Sequence, residues 1–254
     1  MEHSPTAKPA SALEPVSMRG KRVLITGGTK GVGRATAKLL AEEGCLVFIC
    51  GRDPVHLQEA IADSTEGRIG GIPADVGSGR GIEELFLAAD EWLGGLDFAV
   101  LNAGKGAHGP LAEMTHEGYR DVVGVNLLSY MGCAMESMRR MAGAGGHIIM
   151  TGSMSAHVFD ENAAVYTATK AGVRGFATSL RKEANPLGVR VSLLEPGTIG
   201  SEMVDETPAQ KEEMIRDMRM LRTEDVARAI HYVLCQPPVC DVISMQIKPQ
   251  RQII

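Results

Sequence analysis

Tyr166 and Lys170 stand four residues apart in Tyr166-Thr-Ala-Thr-Lys170, and on a helix that spacing puts a phenol and an ammonium on one face. A phenol with a pKa of about 10 exchanges protons sluggishly near neutral pH. Lowering it by about three units requires roughly 4 kcal/mol of preferential stabilisation of the phenolate, and a nearby cation is one source. The pair can therefore serve as a general acid and base. The same spacing suits a surface helix with both side chains in water, so its meaning depends on its surroundings.

A second constellation is Thr26-Gly-Gly-Thr-Lys-Gly-Val-Gly33, which follows an apolar run and opens a helical one. Glycines there let the backbone approach a pyrophosphate, and the helix start offers unpaired N–H groups and a partly positive end. The spacing is TGxxxGxG, not the GxGxxG of the commoner dinucleotide fingerprint. A plain tight turn would also use glycine, but the strand-turn-helix setting favours a dinucleotide. An NAD-specific site usually places an acid at the end of the second strand, where it binds the ribose 2′-hydroxyl. Here Gly51 is followed by Arg52, and Lys30 lies inside the glycine turn. Two cations at one ribose favour a 2′-phosphate, hence NADP(H). Asp53 would repel that phosphate unless it caps a helix beginning at Pro54. With oxidised nicotinamide nearby, Lys170 has help in lowering the Tyr166 pKa.

These residues need a scaffold that brings them together. Short apolar runs at 22–26, 46–50, 67–73, 96–101, 146–151, 189–194 and 242–247 read as buried strands. Helical stretches fall between them at 31–43, 54–64, 80–92, 115–141, 163–185 and 223–235. The expected fold is α/β: a Rossmann-type, doubly wound parallel sheet of seven strands with helices on both faces. Ligands in such a sheet collect beyond the carboxyl ends of the strands. Gly27 to Gly33, Gly51-Arg52, Asp75, Asn102 to Gly104, Ser153 and Pro196-Gly197 all fall at such ends.

Composition narrows the class. The chain has 254 residues, 44% hydrophobic, enough for one large domain over 19–254 with its own core. Aromatics at 4% and a net charge of -5 argue against a nucleic-acid reader. Residues 1–18 read as a disordered tail, neither signal peptide nor membrane anchor, and a cytoplasmic location is expected. The five cysteines read as reduced structural thiols, and no spacing suggests a metal site.

Taken together, TGGTKGVG, Asp75-Val76, Asn102-Ala-Gly104, Asn126, Ser153 thirteen positions before Tyr166, YTATK and Pro196-Gly197 resemble the short-chain dehydrogenase/reductase family, in its short single-domain branch. The likeness runs from Lys21 to about Ile247. It implies that Ser153 hydrogen-bonds a substrate carbonyl oxygen, Tyr166 protonates it, and Lys170 grips the nicotinamide ribose and lowers the tyrosine pKa. Asn126 would hold a water on a proton relay behind the lysine. Asp75 and Val76 would meet the adenine, and Asn102, Ala103 and Gly104 would pass beneath the adenosine ribose. Gly27, Thr29, Lys30, Gly31, Val32, Gly33 and Arg52 would hold the phosphates, and Pro196, Gly197, Ile199 and Ser201 the carboxamide end. Leu101 replaces the first Asn of the usual NNAG, and Ser201 stands where a Thr often follows PGxI. The last strand lacks the frequent Gly-Gly motif, and 238–250 looks more like the NADP-dependent 3-hydroxy acid dehydrogenase subgroup.

The segment 198–222 falls where this family carries its substrate lid. Met203, Val204, Met214, Met218, Met220 and Leu221 would give it an adaptable apolar lining. Its acids, Glu202, Asp205, Glu206, Glu212 and Glu213, read as a solvated face. His108, His157 and Phe159 follow strand ends near the site, while Tyr130 and Met131 read as packing. The expected activity is hydride transfer between NADP(H) and a carbonyl or secondary alcohol carbon of a small molecule, by a homodimer or homotetramer. Alternatives are an enoyl reductase, or a nucleotide-sensing binding protein that lost its chemistry. The intact Ser153, Tyr166 and Lys170 weigh against both.

Overall fold

A computed structural model describes residues 13–64 and 66–254. Seven strands, β1 (Arg22–Thr26), β2 (Leu46–Gly51), β3 (Ile69–Pro73), β4 (Phe98–Leu101), β5 (Gly146–Thr151), β6 (Val189–Pro196) and β7 (Ser244–Ile247), form one sheet. Their order is β3-β2-β1-β4-β5-β6-β7, every pairing parallel. Because both faces are covered, the central strands carry unbroken apolar runs: Val23, Leu24 and Ile25 are each 0% exposed.

Alternation along the strands divides the core in two. One half packs Leu24, Ala99 and Ile148 against α3 (Gly79–Leu93), α5 (Ser129–Met141) and α7 (Ala164–Ala184). The other packs Val23, Ile25 and Val100 against α1 (Gly31–Glu42), α2 (Pro54–Ala62) and α9 (Thr223–Cys235). The strand order reverses between β1 and β4, and in a doubly wound sheet a crevice opens at that point. All five cysteines are free thiols, and burial pushes Cys45 and Cys50 up to about 12. Among the described residues no helix is long and apolar enough to cross a membrane.

Three features depart from the sequence reading. The helix expected over 115–141 is broken into α4 (His116–Val123), a π-helical turn (Gly124–Leu128) and α5. A π turn inserts one residue per turn, which apolar periodicity cannot register. The segment 198–222, expected as a lid, contains a short helix, α8 (Pro208–Arg216), started by a reciprocal capping box between Thr207 and Gln210. A further short helix, α6 (Ser155–Val158), follows β5. Residues 1–12 of the expected tail lie outside the described residues. Beyond them Val16 N–H donates to the Cys235 carbonyl at 2.9 Å, and Met18 is 4% exposed.

Candidate active site

The glycine turn after β1 has the geometry of a phosphate cradle. Gly27 and Gly31 adopt φ of 66° and 52°, which glycine reaches without strain. A Cβ on Gly27 would sit 2.8 Å from Ala103 Cα, so the turn lies directly against the segment after β4. That segment is fastened from the other side: Asn102 N–H and Ala103 N–H donate to Thr26 Oγ1 at 3.0 and 3.1 Å. Lys30 begins α1 with no side-chain cap, which leaves the first-turn N–H groups facing the cleft. An anionic group fits there on electrostatic grounds.

Arg52 is brought beside this turn by a close contact of its neighbour Gly51. A Cβ on Gly51 would fall 2.4 Å from Thr29 Oγ1, so only glycine lets β2 end against the turn. Lys30 and Arg52 are both exposed on the cleft, and among the described residues neither is in an ion pair. Asp53 caps α2, accepting from Val55 N–H at 2.8 Å and contacting His56 Nδ1 at 2.8 Å. The Val55 N–H holds the Asp53 carboxyl below its usual range, so it stays ionised while capping.

At the other end of the cleft are Ser153, Tyr166 and Lys170. Lys170 is not on a wet surface: it is 4% exposed, and its Nζ donates to the Thr151 carbonyl at 2.8 Å. It lies 5.3 Å from the Tyr130 ring centroid and 5.8 Å from that of Tyr166. Burial brings its pKa down to about 8, so it remains mostly protonated at neutral pH. Ser153 Oγ accepts from Ser155 N–H at 3.1 Å, which leaves its own proton to donate. The nearby Ser153 hydroxyl favours the phenolate, but burial outweighs it, and the Tyr166 pKa is raised rather than lowered. Burial thus holds the phenol as a neutral acid.

The cleft joining these two ends has a volume of about 1000 Å³. Gly27, Thr29, Lys30, Gly31, Val32, Arg52, Asp75, Val76, Asn102, Ala103, Gly104, Ser153, Tyr166, Lys170, Pro196, Gly197, Ile199 and Ser201 all line it. Gly33 and Asn126 do not. A Cβ on Gly33 would lie 2.1 Å from the Gly27 carbonyl oxygen, so this glycine keeps the turn closed from behind. Asn126, in the π turn and 0% exposed, accepts from Lys105 N–H and donates to the Lys105 carbonyl, both at 2.9 Å. Its amide fastens the segment after Gly104 to the helical layer.

Other expectations shift as well. Of Met203, Val204, Met214, Met218, Met220 and Leu221, Met203 alone reaches the cleft, whereas Met220 is buried and Met218 is exposed. Glu202 and Asp205 line the cleft. His108 does too, its ring 6.1 Å from that of Tyr166, whereas His157 is bonded to Glu195 and Phe159 is 67% exposed. Sequence reading missed the Thr151 carbonyl, which accepts from Lys170 and from Tyr130 Oη at 3.1 Å. A backbone acceptor leaves no mark in residue type. It also missed Lys105, which lines the cleft while ion-paired to Asp121.

Comparison with known proteins places this architecture. The sequence profile described as "short chain dehydrogenase" matches residues 21–212. An uncharacterized oxidoreductase of Staphylococcus aureus is 28% identical over 230 residues, covering 90% of this chain and 97% of its own. A short chain dehydrogenase from Burkholderia cenocepacia, solved in complex with NADP, superposes with a TM-score of 0.83 at 27% identity, covering 92% and 98% of the two chains. A 3-ketoacyl-(acyl-carrier-protein) reductase from Brucella melitensis, complexed with NADH, gives 0.84 at 26% identity over 93% and 100%.

Proposed function

This chain belongs to the short-chain dehydrogenase family of oxidoreductases, and from that membership we propose that it is an NADP(H)-dependent enzyme interconverting a carbonyl and a secondary alcohol on a small organic substrate. The observation that carries the reading is the meeting of Ser153, Tyr166 and Lys170 at one end of a cleft whose other end is the open start of α1.

The two similar structures carry different nicotinamides, NADP and NADH, so the choice of cofactor rests on this chain's own charges. Lys30 and Arg52 would hold a 2′-phosphate by charge-assisted hydrogen bonds. The α1 N–H groups would hold the pyrophosphate, Asp75 and Val76 the adenine, and Asn102 to Gly104 the adenosine ribose. Pro196, Gly197, Ile199 and Ser201 would flank the carboxamide. A bound nicotinamide supplies or accepts the hydride.

The protein's own groups handle the proton and the charge. Ser153 donates to the substrate oxygen and stabilises the negative charge that grows there. Tyr166 gives that oxygen its proton in reduction and takes it back in oxidation. Burial keeps the phenol protonated, so the proton for the first direction is in place, and its release depends on stabilisation of the phenolate. Lys170, charged and held by the Thr151 carbonyl, stabilises the phenolate left behind. The lid acids Glu202 and Asp205 make the substrate end a poor host for strongly anionic substrates.

The test is NADPH oxidation across a panel of ketones, with NADH in parallel. Turnover with a KM for NADPH at least tenfold below that for NADH is expected. Equal use of both coenzymes would remove the ribose argument, and no turnover would remove the reductase reading.

A further inference from the structure

The cleft and the helix-borne tyrosine leave one buried acidic side chain unaccounted for. Glu195, the penultimate residue of β6, is 1% exposed. Burying a carboxylate is costly unless its oxygens find partners, and here both do. Oε1 lies 2.8 Å from His157 Nε2. Oε2 accepts from the Gln246 amide at 3.3 Å and from Ser244 Oγ at 3.4 Å. His157 comes from α6, which begins two residues after Ser153, while Ser244 and Gln246 come from β7.

The same side chain touches the Ser153 loop a second time. A Cβ on Gly152 would lie 2.9 Å from Glu195 Cγ, so the glutamate stem presses on the residue immediately before the serine. Two backbone bonds complete the attachment: Gly152 N–H to the Leu194 carbonyl at 2.7 Å and Met154 N–H to the Pro196 carbonyl at 2.9 Å. Beyond α6 the chain has no regular structure until α7, and Phe159 and Asn162 both take positive φ. The stretch from Ser153 to Tyr166 is thus tied to the sheet at its Ser153 end, where Glu195 adds a side-chain contact to the backbone bonds.

We propose that Glu195, acting through His157, is a positioning residue that fixes the Ser153 hydroxyl relative to Tyr166. A buried polar contact of this kind adds little net stability but can select one arrangement of the elements it joins. The inference rests on the reading of Ser153 as the donor to the substrate oxygen. Misplacing such a donor by about 1 Å can cost about a hundredfold in rate.

The test combines hydrogen exchange with kinetics. Glu195→Met fills the volume and removes both acceptors, whereas Glu195→Gln keeps an acceptor for His157. In Glu195→Met, amide exchange over 152–158 should accelerate at least tenfold with α1 unchanged. Its kcat should fall about tenfold to a hundredfold, with the KM for NADPH within twofold of wild type. Glu195→Gln should recover most of the loss, and in a Ser153→Ala background Glu195→Met should cause no further fall. His157→Leu breaks the same contact from the less buried side, should reproduce these effects, and serves if the strand variant does not fold. Unchanged exchange over 152–158, or rate losses that simply multiply in the double variant, would overturn the proposal. If wild type reduces no ketone, the reductase reading fails by itself, and the exchange measurement still decides whether Glu195 holds the loop.

Discussion

Replacing Lys170 by methionine removes a buried cation while keeping most of its volume, and the structure gives that change a pH signature. Burial brings the Lys170 pKa from the ordinary 10.5 to about 8. Between those values the unfolded chain holds a proton that the folded chain has released, so unfolding takes up a proton. Raising the pH through this window therefore stabilises the native state. Below pH 8 both states are protonated, and the full cost of burying the ammonium is present, about 3 kcal/mol at about 1.4 kcal/mol per pKa unit. Methionine carries no such cost at any pH. Its own loss is a charged hydrogen bond to the Thr151 carbonyl, worth about 1.5–3 kcal/mol. That carbonyl is not orphaned, because Tyr130 Oη still donates to it at 3.1 Å. At pH 7 Lys170→Met should thus be as stable as wild type or slightly more so, although catalytically crippled. From pH 8 to 10 wild type should gain about 2 kcal/mol that the variant does not. Urea unfolding followed by circular dichroism at half-unit steps from pH 6 to 10 measures this directly. Stability curves that run parallel between pH 8 and 10 would refute the claim that Lys170 is a buried cation.

Two further substitutions probe the nucleotide end. Arg52→Asp removes a cation beside Lys30 and places a carboxylate where a 2′-phosphate would sit; it should shift the NADPH-to-NADH ratio of kcat/KM at least tenfold towards NADH, and an unchanged ratio would undo the ribose argument. Gly33→Ala sets a methyl 2.1 Å from the Gly27 carbonyl oxygen; the turn must open, and dinucleotide binding followed by calorimetry should weaken at least tenfold with a stability loss of about 1–3 kcal/mol, whereas full affinity would contradict the packed-turn geometry.

The sheet was legible because its central strands are buried on both faces and appear as unbroken apolar runs, as in Val23-Leu-Ile25 and Ile148-Ile-Met150. Once the strands were placed, parallel topology brought their carboxyl ends to one edge, which is why nearly every expected site residue lines the cleft. The exceptions share a cause. Gly33 and Asn126 answer to groups distant in sequence, a Gly27 carbonyl and the Lys105 backbone, and no spacing rule reports such contacts. The π turn that presents Asn126 is hidden because the apolar stripe continues on either side of it. The upward push of burial on the Tyr166 pKa is invisible in sequence for another reason. Proximity of Lys170 could be read from four-residue spacing, but burial of the phenol, the larger influence, depends on how α7 packs. The role of the lid methionines was equally hidden, since α8 and the positive φ at Met218 turn most of them away from the cleft.

The central claim is that the Tyr166 phenol supplies the proton, and its most direct measurement compares wild type with Tyr166→Phe. Deleting one oxygen leaves the ring and its packing in place. With a ketone that wild type reduces, NADPH oxidation should slow by about a hundredfold to ten-thousandfold, while NADPH affinity measured by fluorescence stays within a few-fold. A variant that turns over the ketone at the wild-type rate would contradict the account.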